Sequence, residues 1–311
     1  MSRFQFFAVE DTGPRLLPVP PNAAGFADLY QGLPLGVYTA LRTFHHNQFL
    51  YLDHHLDRTQ RSMALLGWDY HLDRQRLQQA LHSIVTQSEW PEMRVRIDVL
   101  AAAADQLGTA SRELIAIQAF TPPVEALYEH GVTVDFAAGL ERDQPLAKTA
   151  DFAAKRPSSA GLQQLEDPKY QLLDTKIPGL VDGKSDQVVG PYEFLLVNAE
   201  GQILEGTGTN FWAVRDGVLF TAGEDVLEGI TREIILRLLS DLGIPFRLEA
   251  VRMTDIPALQ EAALSGSSRA FLPVINIAGQ LIGDGQPGPV SRKILAAYRS
   301  FVEKNTKTAI S

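Results

Sequence analysis

The chain has 311 residues, 45% hydrophobic and 21% charged, a composition typical of a folded globular protein, and its length predicts two domains around one cleft. Against 28 Lys+Arg stand 37 Asp+Glu, a formal charge of −9 that argues against a surface built to neutralise nucleic-acid phosphates. With no cysteine, a disulfide framework, a thiolate zinc site and a cysteine nucleophile are all excluded.

The opening segment has no basic stretch followed by an apolar core, so no secretory signal is expected. No apolar run reaches membrane-spanning length, and the expectation is a cytoplasmic protein without membrane or nucleic-acid partners. Only 8 of the basic residues are lysines and none precedes Lys148, so chemistry that needs an amine has few candidates.

In chain order, residues 36–44 read as a strand, His45–Gln48 as a polar turn and Phe49–Leu52 as a continuing strand. Asp53 is expected to cap a helix carrying Leu56, Met63 and Leu66 and closed by Gly67. A second helix is predicted over Leu72–Gln87, with Leu77, Leu81 and Ile84 on one face. Arg94–Ala102 and Leu114–Phe120 read as strands of one sheet, and Thr121-Pro122-Pro123 as a hinge, giving domains 1–122 and 123–311. Beyond it, residues 131–136 read as a strand, and 157–190 have no clean periodicity. Two hairpins follow, 193–206 turning at Ala199-Glu200-Gly201 and 210–221 turning at Asp216-Gly217. A helix over Thr231–Leu242, with Ile234, Leu238 and Leu242 on one face, stops at Gly243. The fold class is α+β, with a smaller N-terminal domain and a larger, β-rich C-terminal one.

Several stretches suggest chemistry. Leu227-Glu228-Gly229-Ile230-Thr231-Arg232 precedes a helix, where free N–H groups and the helix dipole suit a phosphate; taken alone, a plain Thr cap is the simpler explanation. Leu264-Ser265-Gly266-Ser267-Ser268-Arg269 offers further hydroxyl donors or an ordinary turn. Glu205, at the end of a buried-looking strand, needs a cation or a protonated ring nitrogen if it faces inward. Arg58 sits on the first helix, able to reach a phosphate or solvent. The pairs His45-His46 and His54-His55 are adjacent residues whose side chains diverge, so no metal site is expected.

Taken together, Glu205-Gly206-Thr207-Gly208-Thr209-Asn210-Phe211, Asp216-Gly217-Val218-Leu219-Phe220-Thr221, Leu227–Arg232 and Ser265–Arg269 with Leu272-Pro273-Val274 resemble the class IV aminotransferases. These are pyridoxal-phosphate enzymes of fold type IV, among them branched-chain and D-amino-acid aminotransferases and aminodeoxychorismate lyase. Leu52–Ser62 resembles the helix that carries the family's phosphate-binding arginine, and 282–289 its closing segment.

The resemblance implies pyridoxal 5'-phosphate as cofactor. Glu205 would face its pyridine nitrogen, and its phosphate would meet Arg58, the backbone of Leu227, Gly229, Ile230 and Thr231, and the Ser267 hydroxyl. Lys148, in Arg142-Asp143-Gln144-Pro145-Leu146-Ala147-Lys148, resembles the imine-forming lysine, with Phe152 near the position of a usual tyrosine. Its 57-residue separation from Glu205 exceeds the family's spacing and is read as an insertion over the cleft within 157–190; in another register the lysine is Lys155 or Lys176. Tyr38, Arg94 and Arg96 would line the substrate side, the arginines clamping a carboxylate or pairing with Glu92 or Asp98. Thr39 stands where branched-chain enzymes carry glutamate.

The implied activity exchanges an amino group between a small amino acid and a 2-oxo acid in a homodimer. A lyase of the aminodeoxychorismate type and a cofactor-free binding protein are the alternatives.

Overall fold

The computed structural model describes residues 3–157 and 190–310, and the 157–190 insertion lies almost wholly outside them. The described chain forms two compact units. Unit 1 takes Met1–Thr121, Leu146–Ala154 and Val302–Ser311; unit 2 takes Pro122–Pro145 and Lys155–Phe301. Two segments that follow Pro123 in sequence therefore pack with the N-terminal unit.

Unit 1 is built on five antiparallel strands, β1 (Phe4–Glu10), β2 (Gly13–Leu17), β3 (Gly36–Arg42), β5 (Met93–Leu100) and β6 (Glu113–Ala119). They form one sheet in the order β2-β1-β6-β5-β3. β4 (Gln48–Leu50) pairs instead with β16 (Thr306–Thr308), which ties the C-terminal segment to this unit.

Both faces of the sheet are covered, so β5 and β6 read as nearly unbroken buried runs. Helices α1 (Leu52–Leu65) and α2 (Arg74–Gln87) bury Leu56, Leu77, Leu81 and Ile84 with Val95, Ile97, Ile115 and Ile117. Phe4, Phe6, Phe26, Leu114 and Ala116 fill the other face. Asp73 caps α2 by accepting from the Arg76 N–H at 3.0 Å. Asp53 does not cap α1: the N-cap is Tyr51, in the left-handed region at φ 52°. The Asp53 carboxylate lies within the first turn and accepts instead from Gln78 Nε2 at 3.0 Å.

Among the described residues, unit 2 is built on nine strands. They are β7 (Val132–Phe136), β8 (Glu193–Val197), β9 (Ile203–Gly206), β10 (Asn210–Arg215), β11 (Val218–Thr221), β12 (Phe246–Leu248), β13 (Glu261–Gly266), β14 (Ala270–Ile277) and β15 (Gln280–Leu281). Their order is β12-β11-β10-β13-β14-β7-β8-β9, with β15 on β14. β9 also pairs with β10 at Glu205–Asn210, so β10-β13-β14-β7-β8-β9 closes into a ring. Both predicted hairpins are present, and Asp216 and Gly217 take the positive φ of a tight turn, 52° and 72°.

Helix α3 (Glu125–His130) and helix α4 (Ala150–Ala154, in unit 1) are short; α5 (Ile230–Leu242) and α6 (Pro289–Asn305) are long. α5 ends at Gly243, φ 63°, as expected. Its buried stripe is Thr231, Ile234, Ile235 and Leu239 rather than Ile234, Leu238 and Leu242. The run Ile234-Ile235-Leu236-Arg237-Leu238-Leu239 offers two overlapping stripes, and packing against β13 selects between them.

Candidate functional site

In unit 1 the candidate residues gather around β3. Alternation along the strand puts Tyr38 and Thr39 on opposite faces. Tyr38 is paired with Asp98 and Ala40 with Arg96, so Tyr38, Arg96 and Asp98 share one face. Arg96 is buried, its Cζ 4.2 Å from the Tyr38 ring centroid and 4.3 Å from that of Tyr30. Its Nε and Nη2 both donate to Asp98, at 2.8 and 2.7 Å. Burial opposes the guanidinium charge, but the Asp98 carboxylate outweighs it and leaves the Arg96 pKa raised. Of the two expected partners for the arginine pair, Asp98 is thus engaged by Arg96, while Glu92 pairs with Arg42 at 3.1 Å. Arg94 lies over Phe26, 5.2 Å from its centroid.

Lys148 is also part of unit 1, and only 8% exposed. Thr149 bridges Val37, the Tyr38 N–H donates to the Lys148 carbonyl at 2.9 Å, and the Lys148 N–H donates to Ser62 Oγ at 3.3 Å. Strand β3 and helix α1 therefore hold both polar groups of its backbone. The Lys148 Nζ lies 4.9 Å from the Tyr38 ring centroid. The rival Lys155 is exposed and pairs with Asp143 at 3.5 Å; Lys176 lies outside the described residues. Phe152 is buried on α4.

On the opposite face of β3, Thr39 meets α1. Arg58, buried, donates from Nη2 to Thr39 Oγ1 at 2.9 Å, and His55 Nδ1 lies 2.7 Å from the same oxygen.

In unit 2 the buried carboxylate of Glu205 is the centre. Arg142 Nε donates to its Oε1 at 2.6 Å, the Leu227 N–H to its Oε2 at 3.3 Å, and Asn210 Nδ2 reaches Oε2 at 3.5 Å. Asn210 Nδ2 also donates to the Leu227 carbonyl at 2.8 Å. The Leu227 N–H, expected on a phosphate, donates to Glu205 Oε2 in this structure.

Gly229 is the N-cap of α5, and Glu233 N–H to Gly229 O is the helix's first bond, at 2.9 Å. The N–H groups of Ile230, Thr231 and Arg232 have no acceptor within the helix and stand at its positive end. Thr231 is not the cap; it is the second helical residue. A side chain at 229 would put its Cβ 2.1 Å from Asn210 Oδ1, so only glycine lets Asn210 approach the loop. Ser267 is half-buried in the turn closed by the Arg269 N–H to Gly266 O bond of 3.0 Å.

Sequence reasoning missed Arg142 as the partner of Glu205, Asn210 as the link from Glu205 to the 222–229 loop, and the contact of Thr39 and His55 with Arg58. Arg142 and Asn210 each stood in a quoted motif, but nothing in a motif names a partner.

The family described as amino-transferase class IV matches residues 36–157 and 186–277, more than half of the chain. The chain belongs to that family. It is 33% identical over 124 residues to the branched-chain-amino-acid aminotransferase of Escherichia coli (strain K12), a stretch covering 39% of this chain and 40% of the relative. It is 31% identical over 106 residues to the D-alanine aminotransferase of Staphylococcus aureus (strain N315), covering 33% and 38%. These alignments thus span about two-fifths of either relative.

Among solved structures, the fold matches the branched-chain aminotransferase of the archaeon Thermoproteus uzoniensis with norvaline at a TM-score of 0.71 and 22% identity, over 98% of this chain and 99% of that one. It also matches the branched-chain amino acid aminotransferase from Escherichia coli at a TM-score of 0.70 and 17% identity, over 100% of each chain. The expected α+β, fold type IV architecture holds over nearly the whole length.

Proposed function

We propose that this protein is a pyridoxal-phosphate-dependent aminotransferase, exchanging an amino group between a small amino acid, of branched-chain or D-amino-acid type, and a 2-oxo acid. The observation that carries the reading is Lys148, the buried lysine among the described residues, its backbone held by the Tyr38 N–H of β3 and the Ser62 hydroxyl of α1. An amine that bonds a carbonyl acts in its neutral form, so a lysine held at one fixed place away from bulk water suits that chemistry.

The donor set fits the cofactor. The start of α5 offers the N–H groups of Ile230 and Thr231 to a phosphate dianion, and Arg58 offers a guanidinium to the same kind of group. Glu205 accepts from Arg142 Nε, from the Leu227 N–H and, weakly, from Asn210 Nδ2. A carboxylate beside a ring nitrogen favours the nitrogen's protonated form.

Pyridoxal phosphate supplies an aldehyde that condenses with amines and a ring that withdraws electrons. The protein's part is binding, orientation and proton transfer. Glu205, beside Arg142 and the Leu227 N–H, would hold a proton on the ring nitrogen. Ser267 would add a hydroxyl donor to the phosphate. Lys148 Nζ would take a proton from the substrate's α-carbon. Arg96 would orient a substrate carboxylate with whatever donor capacity Asp98 leaves it, with Tyr38 and Arg94 lining that side.

A homodimer is part of the same reading, to be checked by light scattering. No described helix is long and apolar enough to cross a membrane. The test of function is amino-group transfer from a panel of L- and D-amino acids to 2-oxoglutarate or pyruvate, with the cofactor added. New amino acid formed from the acceptor is expected; pyruvate released without transfer would instead make it a lyase.

A further inference from the structure

The groups around Arg58 define a hydrogen-bond direction. Thr39 is fully buried, and among the described residues its hydroxyl meets two partners, Arg58 Nη2 at 2.9 Å and His55 Nδ1 at 2.7 Å. A guanidinium only donates, so it takes a lone pair of Oγ1. The hydroxyl has one proton, and His55 Nδ1 is the acceptor within reach. A buried hydroxyl proton left without an acceptor is costly. The chain of donation therefore runs from Arg58 to Thr39 to His55.

We propose that Thr39 and His55 are positioning residues that fix the Arg58 guanidinium for a phosphate-bearing cofactor, with His55 held as the neutral tautomer that carries its proton on Nε2. The inference rests on the role given to Arg58 above, and it adds two residues that do not touch the ligand.

The electrostatics agree with this geometry. Burial first, then the cationic Arg58 and Lys148 and the neighbouring His54, hold the His55 pKa well below the ordinary histidine range. With a hydroxyl at 39 and a neutral ring at 55, neither partner neutralises Arg58. Thr39 takes one donor of the guanidinium, and His55 fixes the Thr39 hydroxyl. Thr39 has a further consequence through its neighbour: the Tyr38 N–H holds the Lys148 carbonyl, so one short piece of β3 sets both the Arg58 head group and the Lys148 backbone.

The test uses full-length, 15N-labelled wild type, T39V, T39S and H55N. In the protein without cofactor, long-range 1H–15N correlations assign the His55 ring; the affinity for pyridoxal phosphate is then read by absorbance titration. The expected wild-type pattern is an unprotonated Nδ1 and a protonated Nε2. T39V, which keeps the shape and removes the hydroxyl, is expected to weaken pyridoxal phosphate binding about tenfold, with T39S within about twofold of wild type. H55N, which keeps an acceptor near the Nδ1 position, is expected to bind better than T39V.

A protonated Nδ1 in the wild type would overturn the direction of the relay. Equal affinity in wild type and T39V would overturn the positioning role. No pyridoxal phosphate binding by the wild type would remove the cofactor reading and the role of Arg58 with it, while the ring assignment would still stand or fall on its own spectrum.

Discussion

Arg142 Nε lies 2.6 Å from Glu205 Oε1, with both side chains all but excluded from solvent. Glu205 needs such a partner, because a lone carboxylate loses its hydration on burial and recovers it only from a cation or several donors.

Removing one member of this pair leaves the other charged and buried. Arg142→Met is expected to destabilise the cofactor-free protein by about 3–5 kcal/mol, and Glu205→Gln to destabilise it as well. The double variant is expected to be more stable than the sum of the two losses predicts. Urea unfolding of the four proteins closes the cycle; strict additivity would mean that the two side chains do not interact.

Gly229→Ala separates steric demand from backbone strain. The residue has φ −69°, which any residue adopts, yet its Cβ would fall 2.1 Å from Asn210 Oδ1. The expected result is loss of the Asn210 to Leu227 link and at least tenfold weaker pyridoxal phosphate binding, with the α5 helix retained by circular dichroism. Unchanged affinity would show that the loop before α5 does not depend on Asn210.

His55 links stability to pH. Its pKa in the fold lies well below the ordinary 6.5, chiefly because of burial, so the unfolded chain binds the proton more readily. This contribution is complete above about pH 6.5 and is lost as pH falls through the folded pKa. H55N lacks the titration. The stability of wild type relative to H55N is therefore expected to fall as pH drops from about 7.5 to 5, read by urea unfolding at each pH; a constant difference would mean that His55 titrates alike in both states.

Much of the fold was legible in local signals. Asp216-Gly217 names a tight turn, Gly243 a helix stop, and the spacing of Leu77, Leu81 and Ile84 a buried helix face. What stayed hidden was long-range. The β9–β10 contact that closes the ring rests on one paired position, Glu205 with Asn210, and neither strand advertises it. The segment around Lys148 follows the Pro-rich hinge in sequence but packs on β3, through a Thr149–Val37 bridge that no periodicity encodes.

The site divides in the same way. Glu205, Lys148 and Arg58 could be picked out because each stands in a stretch that resembles the family's motifs. Arg142, 63 positions from Glu205, and Thr39, 19 from Arg58, could not, since pairing is decided by sheet register and helix docking. Arg96 shows the same limit: alternation gave its face, and only the structure shows both its donors on Asp98.

The central claim is that Lys148 carries the cofactor. The direct measurement is the visible spectrum of the purified protein with pyridoxal phosphate, before and after borohydride, followed by mass mapping of the peptides. The account predicts a band that disappears on reduction and a pyridoxyl group on the peptide containing Lys148. A pyridoxyl group on Lys155 or Lys176 with Lys148 unmodified, or no band at any cofactor concentration, would contradict it.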